Sequence, residues 1–183
     1  MSSQPTLPAA RLLLRPFALS DAADVQRLAG DRSVADTTLR IPHPYPDGAA
    51  EEWIATHAPG FGAGTLADFA ITLRSSGELV GTIGLIIERG ADRAELGYWI
   101  GAGSRNLGYC TEAGHAVIDY GFQSLDLNKI CAHHFKRNPA SGRVLQKLGM
   151  RLEGEQAQHV KKWDQYEDIV VYGLLRSAWE GKR

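Results

Sequence analysis

Apolar runs of strand length alternate along the chain with stretches whose apolar residues recur at helical spacing, in the order β-α-α-β-β-β-α-β-α-β-β. The predicted strands are residues 11–17, 68–74, 78–87, 94–101, 129–137, 151–155 and 167–175. The predicted helices are residues 22–29, 48–58, 111–122 and 140–148, with 30–46 as a loop and 177–183 as a short tail. This order predicts an α/β (α+β) fold around one sheet. We expect a single domain over residues 1–183, with its core from about residue 10 to residue 180.

Turn and cap residues mark the ends of several of these elements. Residues 75–77 read Ser-Ser-Gly between two strand-like runs, which predicts a hairpin. Asn138 and Pro139 supply an N-cap and a first-turn proline for the helix over 140–148. Gly149 supplies the residue that closes this helix in the left-handed conformation.

Composition and charge narrow the class of protein. The 183 residues are 44% hydrophobic and 22% charged, which is typical of a globular protein. Twenty basic and 21 acidic residues give a net charge of −1, so no basic field favours nucleic acid or an anionic membrane surface. No apolar run is long enough to span a membrane, and the first residues lack a signal-peptide pattern. Two cysteines are too few for a disulfide framework, so we predict a cytoplasmic protein.

The most informative stretch is residues 98–113, a strand, a glycine-rich turn and the start of a helix. Backbone N–H groups at the start of a helix are unpaired, and the helix dipole favours an anion there. Gly101, Gly103 and Gly108 allow the close approach of a phosphate to the backbone, and Arg105 adds positive charge. The stretch therefore predicts a ligand that carries phosphate, without specifying which one.

Two known phosphate-binding patterns fit this turn poorly. The glycines begin like the dinucleotide fingerprint G-x-G-x-x-G, but Asn106 stands in place of the third glycine. The preceding strand is also the last of several β elements and not the first of a βαβ unit. The Walker pattern ending in Gly-Lys-Ser/Thr is absent from the sequence. A nucleotide-dependent oxidoreductase is therefore a weak alternative.

A different frame, Arg105-x-x-Gly108-x-Cys110, resembles the cofactor loop Gln/Arg-x-x-Gly-x-Gly/Ala of the GNAT N-acetyltransferase superfamily. Cys110 replaces a small residue, which is a mild departure. The flanking segments AELGYWIG, GYCTEA, NPASGRVLQKLGM and DIVVYGLL follow the family's order, so the resemblance extends over the chain from residue 11 onward. The chain looks most like the RimJ/RimL-type branch, which acetylates protein N-termini and various small amines.

The resemblance implies a mixed, mostly antiparallel sheet with flanking helices and a splayed central strand pair, with acetyl-CoA in the gap. By similarity, the backbone of Trp99 and Ile100 would bind the pantetheine arm. Asn138 would contact the same arm, although a capping role alone also explains it. The residues that would surround the pyrophosphate are Arg105, Asn106, Leu107, Gly108, Tyr109, Cys110 and Thr111. No metal is implied, and a homodimer is expected from the family alone.

Acetyl transfer to an amine requires a general base, a site for the carbonyl oxygen and a proton for the departing thiolate. Many family members supply that proton from a tyrosine, but Leu145 occupies this position. Ser141 matches the serine of RimL-like members and is our candidate donor and cofactor contact, although it also fits a structural role at the helix start. Glu95 is the candidate base, directly or through water, with a solvated carboxylate as the alternative. His134 is a second candidate base, and Glu112 is expected to complement the helix dipole.

Aromatic residues are candidates for the acceptor pocket. Tyr45 and Trp53 lie in or beside the long loop, and Trp163 lies near the C-terminal strands. Core packing also explains Trp53, which falls at helical spacing. Lys161 and Lys162 are expected in a solvated turn.

A metal site is not expected. Cys131 and His133 share a face of their strand, whereas His134 points to the other. No second cysteine or histidine pair lies nearby in the sequence, as a structural zinc site would require.

Together these observations predict transfer of an acetyl group from acetyl-CoA to a primary amine. A protein N-terminal α-amine is the leading acceptor class, and a small amine, an amino acid or an amino-sugar drug is the alternative. A catalytically silent acetyl-CoA-binding module is the alternative of another class, because the usual tyrosine is missing.

Overall fold

The structure, a computed structural model, describes residues 3–181. Its strands are β1 (Leu7–Pro8), β2 (Leu12–Arg15), β3 (Leu66–Leu73), β4 (Leu79–Glu88), β5 (Arg93–Ile100), β6 (Lys129–Phe135), β7 (Arg151–Lys162) and β8 (Gln165–Leu175). They form one eight-stranded sheet of order β1-β2-β3-β4-β5-β6-β8-β7. The helices are α1 (Ala22–Ala29), α2 (Arg32–Ala35), α3 (Ala49–Ala55), α4 (His57–Gly62), α5 (Tyr109–Gln123), α6 (Pro139–Lys147) and α7 (Arg176–Glu180). Neighbouring strands are antiparallel except β5 and β6. The predicted mixed, mostly antiparallel fold is confirmed.

The parallel pair at the centre of the sheet is splayed. β5 and β6 pair only where Arg93–Glu95 lies beside Lys129–Cys131. Beyond Glu95 and Cys131 the two strands diverge, although β5 stays paired with β4 as far as Ile100. A gap therefore opens in the middle of the sheet, with one unpaired backbone edge on β5.

Helices cover both faces of the sheet, and alternation along the strands divides the core between them. On the face covered by α5 and α6, here called the α5 face, Leu96 packs with Ile118 and Leu145. On the other face, here called the α1 face, residues of α1 and α3 pack with Ala70, and Trp99 packs against them. Successive residues of β5 therefore point to opposite sides of the gap.

The signals for turns and caps are confirmed. Gly77, in the turn between β3 and β4, has a φ of 76°. At the start of α6 the amide of Ser141 donates to the Asn138 side chain over 3.4 Å, and Pro139 is the first helical residue. Gly149 follows α6 with a φ of 80°.

Several predicted bounds were wrong for identifiable reasons. The loop over 30–46 contains α2, a single turn capped by Asp31, and the helix expected over 48–58 is divided into α3 and α4. β7 extends beyond the predicted 151–155. The prediction was too short because the side chains of β7 are mostly polar and exposed, so hydrophobic periodicity does not mark the strand. The C-terminal tail contains the short helix α7. No helix within residues 3–181 is both long and apolar enough to cross a bilayer.

Candidate active site

A cavity of about 890 Å³ lies at the gap between β5 and β6. Its walls come from the β5–α5 connection, the start of α6, the loop after α2 and part of α3. Predicted site residues on its surface are Tyr45, Trp53, Glu95, Trp99, Ile100, Arg105, Asn106, Gly108, Tyr109, Cys110, Thr111, Asn138 and Ser141. The structure thus brings the predicted site residues together, with one exception.

The turn between β5 and α5 has the backbone shape of an anion site. Asn106 has a φ of 62°, and Gly108, the residue before the helix, has a φ of 82°. Left-handed residues just before a helix turn its free N–H groups toward a common point. Leu107 is the exception: its side chain is 50% exposed and takes no part in the cavity wall. The expectation of a Leu107 contact is therefore limited to its backbone.

Arg11, which the sequence did not single out, supports this turn from outside. Its Nε donates to Glu112 Oε2 over 2.8 Å, and its Nη1 donates to the Leu107 carbonyl over 3.0 Å. Its guanidinium also lies 4.8 Å from the centre of the Tyr109 ring. Glu112 was expected to complement the helix dipole, and here it also anchors Arg11. Nothing local in the sequence links residues 101 apart.

The free edge of β5 fits an extended ligand. Trp99 and Ile100 pair with β4 on one side, whereas beyond Glu95 no β6 residue pairs with them on the other. An extended arm with amide groups can bind such an edge as an added strand. Arg105 Nε donates to the Ile100 carbonyl over 3.3 Å, which joins this edge to the anion-binding turn. Edge and turn together fit the pantetheine arm and the phosphates of a coenzyme A thioester.

Glu95 is hydrogen-bonded to His133 across the narrow end of the gap. His133 Nδ1 lies 3.1 Å from Glu95 Oε1. The hydrogen bond from His133 lowers the pKa of Glu95 below its usual range, against the opposing effect of burial. The parallel register places Glu95 beside Cys131, and His133 follows on the same face. The sequence pattern does not indicate this partner, because the contact depends on the register of two strands that are far apart in the chain.

Ser141 is hydrogen-bonded to Tyr98, a second residue that sequence analysis missed. The two hydroxyl oxygens are 2.8 Å apart, and Tyr98 Oη also donates to the Ser141 carbonyl over 3.2 Å. Burial raises the pKa of Tyr98 and raises that of the Cys110 thiol to about 12, so both stay protonated at neutral pH. Leu145 is fully buried in the core and takes no part in this group.

His134, the second candidate base, lies on the opposite side of β6 from His133. Its ring is 8% exposed, and its Nδ1 is 2.8 Å from the Phe135 carbonyl. Its Nε2 has no hydrogen-bond partner among residues 3–181 and lies close to Gly142 of α6. His134 therefore belongs to the α5 face, away from Glu95. Within the same residues, no three His, Cys, Asp or Glu side chains form a group suited to a metal ion.

Tyr45 and Trp53 lie in the part of the cavity on the α1 face. The Trp53 ring also packs edge-on against Phe17 at 5.1 Å and against His57 at 4.4 Å. Trp53 therefore has the core role that its spacing indicated, in addition to its place in the wall. Trp163 is 43% exposed and lies outside the cavity.

The expectation that Lys162 lies in a solvated turn is wrong. It is 5% exposed, and its Nζ donates to the carbonyls of Leu39 and Ile41 over 3.3 and 2.6 Å. Burial lowers its pKa. Backbone carbonyls replace the water that this ammonium loses, which holds the loop over 37–42 against the end of β7. This loop forms one wall of the cavity.

The chain is similar to known acetyltransferases. A model of the acetyltransferase (GNAT) domain family matches residues 11–151. The N-acetyltransferase YnaD of Bacillus subtilis is 30% identical over 170 residues, which are 92% of this chain and 96% of YnaD.

Two solved structures have the same fold over nearly the whole chain. A GNAT-family acetyltransferase from Bacillus anthracis has a TM-score of 0.85 at 26% identity, covering 94% of this chain and 99% of its own. RimL, a ribosomal L7/L12 alpha-N-protein acetyltransferase in complex with coenzyme A, has a TM-score of 0.88 at 17% identity, covering 95% and 99% respectively.

Proposed function

This chain belongs to the GNAT family of acetyltransferases and is an acetyl-CoA-dependent N-acetyltransferase, and from that membership we propose that it acetylates the N-terminal α-amine of a protein. A small amine, an amino acid or an amino-sugar drug is the second acceptor class. Because the chain is an enzyme of this family, the alternatives of a catalytically silent module and of an oxidoreductase are set aside.

The observation that supports acetyl transfer at this site is the position of two side-chain pairs on opposite faces of the gap. Glu95 and His133 lie on the α1 face, and Ser141 and Tyr98 lie on the α5 face. Amide formation from a thioester needs one group to take a proton from the amine and another to give one to the departing sulfur. The two pairs supply these groups on either side of the place where a thioester fits.

Each residue then has one role. Acetyl-CoA supplies an acyl group that is already activated as a thioester. Glu95 accepts a proton from the acceptor ammonium, directly or through one water, which frees the nitrogen lone pair to attack the thioester carbon. A backbone N–H at the free edge of β5 stabilises the negative charge on the carbonyl oxygen. Ser141 gives its hydroxyl proton to the departing sulfur as the carbon–sulfur bond breaks, and it regains a proton through water from the nitrogen of the collapsing intermediate. Tyr98 stays protonated and holds Ser141 Oγ by a hydrogen bond.

Two features support a protein N-terminus as acceptor. RimL, which has the same fold, is described as an alpha-N-protein acetyltransferase. In this chain Leu39 and Arg40, in the loop over 37–42 that forms one wall of the cavity, are exposed. A peptide whose first residue lies in the cavity can therefore contact them where it leaves.

The test is release of free coenzyme A thiol from acetyl-CoA with a panel of acceptors. The panel contains peptides with a free α-amine, the same peptides with a blocked α-amine, and amino acids, small amines and amino-sugars. Turnover of the free but not the blocked peptides is expected. Turnover confined to small amines would favour the second class, and no turnover of any amine would contradict both.

A further inference from the structure

One carboxylate in the cavity has no role in the transfer described above. Asp68 on β3 lies directly opposite Gly84 on β4, which lies opposite Gly97 on β5. All three residues are on the α1 face and form part of the cavity wall. These three residues form a row across the sheet, which begins at the Asp68 carboxylate, passes over the two glycines and ends at the gap.

Gly84 is what allows the Asp68 carboxylate to lie inward. A Cβ atom at Gly84 would overlap Asp68 Oδ1, so the carboxylate lies directly above β4 and leans toward the gap. At Gly97 a Cβ atom would meet nothing within 4 Å, which leaves open space between Asp68 and the free edge of β5. The glycines thus form the floor of a channel that has the carboxylate at its far end.

No lysine or arginine side chain of residues 3–181 lies within ion-pair distance of the Asp68 carboxylate. No side chain in residues 3–181 donates a hydrogen bond to it, and its nearest basic group is His57 Nε2 at 3.5 Å. The His57 ring is 4% exposed and has no hydrogen-bond partner on either nitrogen within that range, and burial lowers its pKa to about 4. The exposed Arg40 acts on Asp68 only at longer range. Burial raises the pKa of Asp68 to about 6, so above pH 6 it is an ionised group without a counter-ion.

We propose that the Asp68 carboxylate binds a second cationic group of the acceptor, an ammonium or a guanidinium, while the first amine reacts at the gap. This inference rests on the proposed function and narrows its substrate class to dicationic amines. Strands are about 4.8 Å apart, so a cation on Asp68 lies roughly 10 Å from a thioester beyond β5. Allowing for the contact distance between the reacting amine and the thioester, the two nitrogens are roughly 6–8 Å apart. The two nitrogens of a short diamine have this spacing, and so do the α-amine and the side-chain amine of an N-terminal lysine.

Asp68 is too far from the gap to take the reacting proton directly. Its carboxylate lies above β4, whereas Glu95 is on β5 itself, at the last residue paired with β6. Asp68 is therefore a specificity-determining residue, and its removal is expected to affect the choice between acceptors more than the rate with a monoamine.

The test compares Asp68→Asn with the wild type on matched pairs of acceptors. One pair is 1,4-diaminobutane and butylamine, and the other is a peptide that begins with lysine and the same peptide that begins with norleucine. The wild type is expected to favour the dication in at least one pair by about tenfold in kcat/KM, because hydrogen bonds to charged groups are strong. Asp68→Asn removes this preference, and whichever pair shows it identifies the source of the second cation. Asparagine has nearly the shape of aspartate, so the fit over Gly84 is kept.

Glu51→Gln is the matched control, because it removes one negative charge from an exposed residue of α3 outside the cavity wall. It should leave the preference unchanged. No preference in the wild type, or equal losses for both members of a pair in Asp68→Asn, would overturn the proposal.

Calorimetric binding of the same acceptors in the presence of coenzyme A gives a second readout that does not need turnover. If no amine reacts, the proposed function fails, while binding still decides the role of Asp68. Tighter binding of the dication that is lost in Asp68→Asn supports the proposal, and equal binding of both members of each pair contradicts it.

Discussion

The hydroxyl of Ser141 is held in the cavity by Tyr98, at the start of the helix in which the usual tyrosine is replaced by Leu145. Replacing Ser141 with alanine removes this hydroxyl but keeps the amide that donates to Asn138. We expect Ser141→Ala to lower kcat about 100-fold, a typical contribution of a general acid. The dissociation constant of acetyl-CoA, measured by calorimetry, should change little.

Tyr98→Phe is the companion variant, since it keeps the ring and removes only the hydroxyl that contacts Ser141. A smaller fall in kcat is expected, because water can replace the lost hydrogen bond. If Ser141→Ala instead weakens acetyl-CoA binding as much as it lowers kcat, the serine has a structural role.

Proton transfer at Glu95 makes the rate depend on pH in a defined direction. A carboxyl group whose pKa is lowered stays ionised, and able to accept a proton, down to a lower pH. His133→Ala removes the main cause of this lowering, so the acid limb of kcat/KM should move to higher pH. Steady-state rates from pH 4 to pH 9 test this shift.

His159→Ala is the control for this profile, because His159 is an exposed histidine of β7 outside the cavity wall. Its acid limb should coincide with that of the wild type. An unmoved limb in His133→Ala would assign the limb to a group other than Glu95.

The connection between β5 and α5 is the element that recognises the phosphates, and its shape depends on Gly108. The φ of 82° at Gly108 disfavours any side chain, and its amide precedes the first turn of α5. Gly108→Glu also places a carboxylate where the pyrophosphate is expected. The affinity for acetyl-CoA, measured by calorimetry, should fall at least about 100-fold, because facing like charges cost several kcal/mol.

Two variants separate charge from backbone strain at this turn. Gly108→Ala carries the strain without the charge, and about a tenfold loss is expected from 1–2 kcal/mol of left-handed strain. Leu107→Glu adds the same charge one residue earlier, on a side chain that points away from the cavity, and should have less effect than Gly108→Glu. Equal affinities of Gly108→Glu and the wild type for acetyl-CoA would show that the phosphates bind elsewhere.

Most of the cofactor half of the molecule could be predicted from the sequence, because its signals are local. The turn over 101–108 lies between a clear strand and a clear helix, and Asn138 and Gly149 mark the two ends of α6. In contrast, β1 is too short to show a period, and the polar residues of β7 hide a long strand.

The partners of the candidate catalytic residues could not be predicted in this way. His133 reaches Glu95 only through the parallel register of β5 and β6, and Tyr98 reaches Ser141 across 43 residues of chain. Asp68 shows no pattern of its own in the sequence, since its importance depends on Gly84 in the facing strand. Pairings of this kind depend on strand order, which hydrophobic periodicity does not encode.

The Lys162 contact has a consequence for how the two halves of the site respond to local opening. Lys162 Nζ holds the carbonyls of Leu39 and Ile41, in the loop over 37–42 that forms one wall of the cavity. The turn between β5 and α5 is held separately, by Arg11 at Glu112 and at the Leu107 carbonyl. Segments that are held by few contacts open at a lower free-energy cost than the rest of a fold. Opening of the loop over 37–42 is therefore expected to leave the coenzyme A site intact, so that the chain loses its selectivity while it keeps its donor.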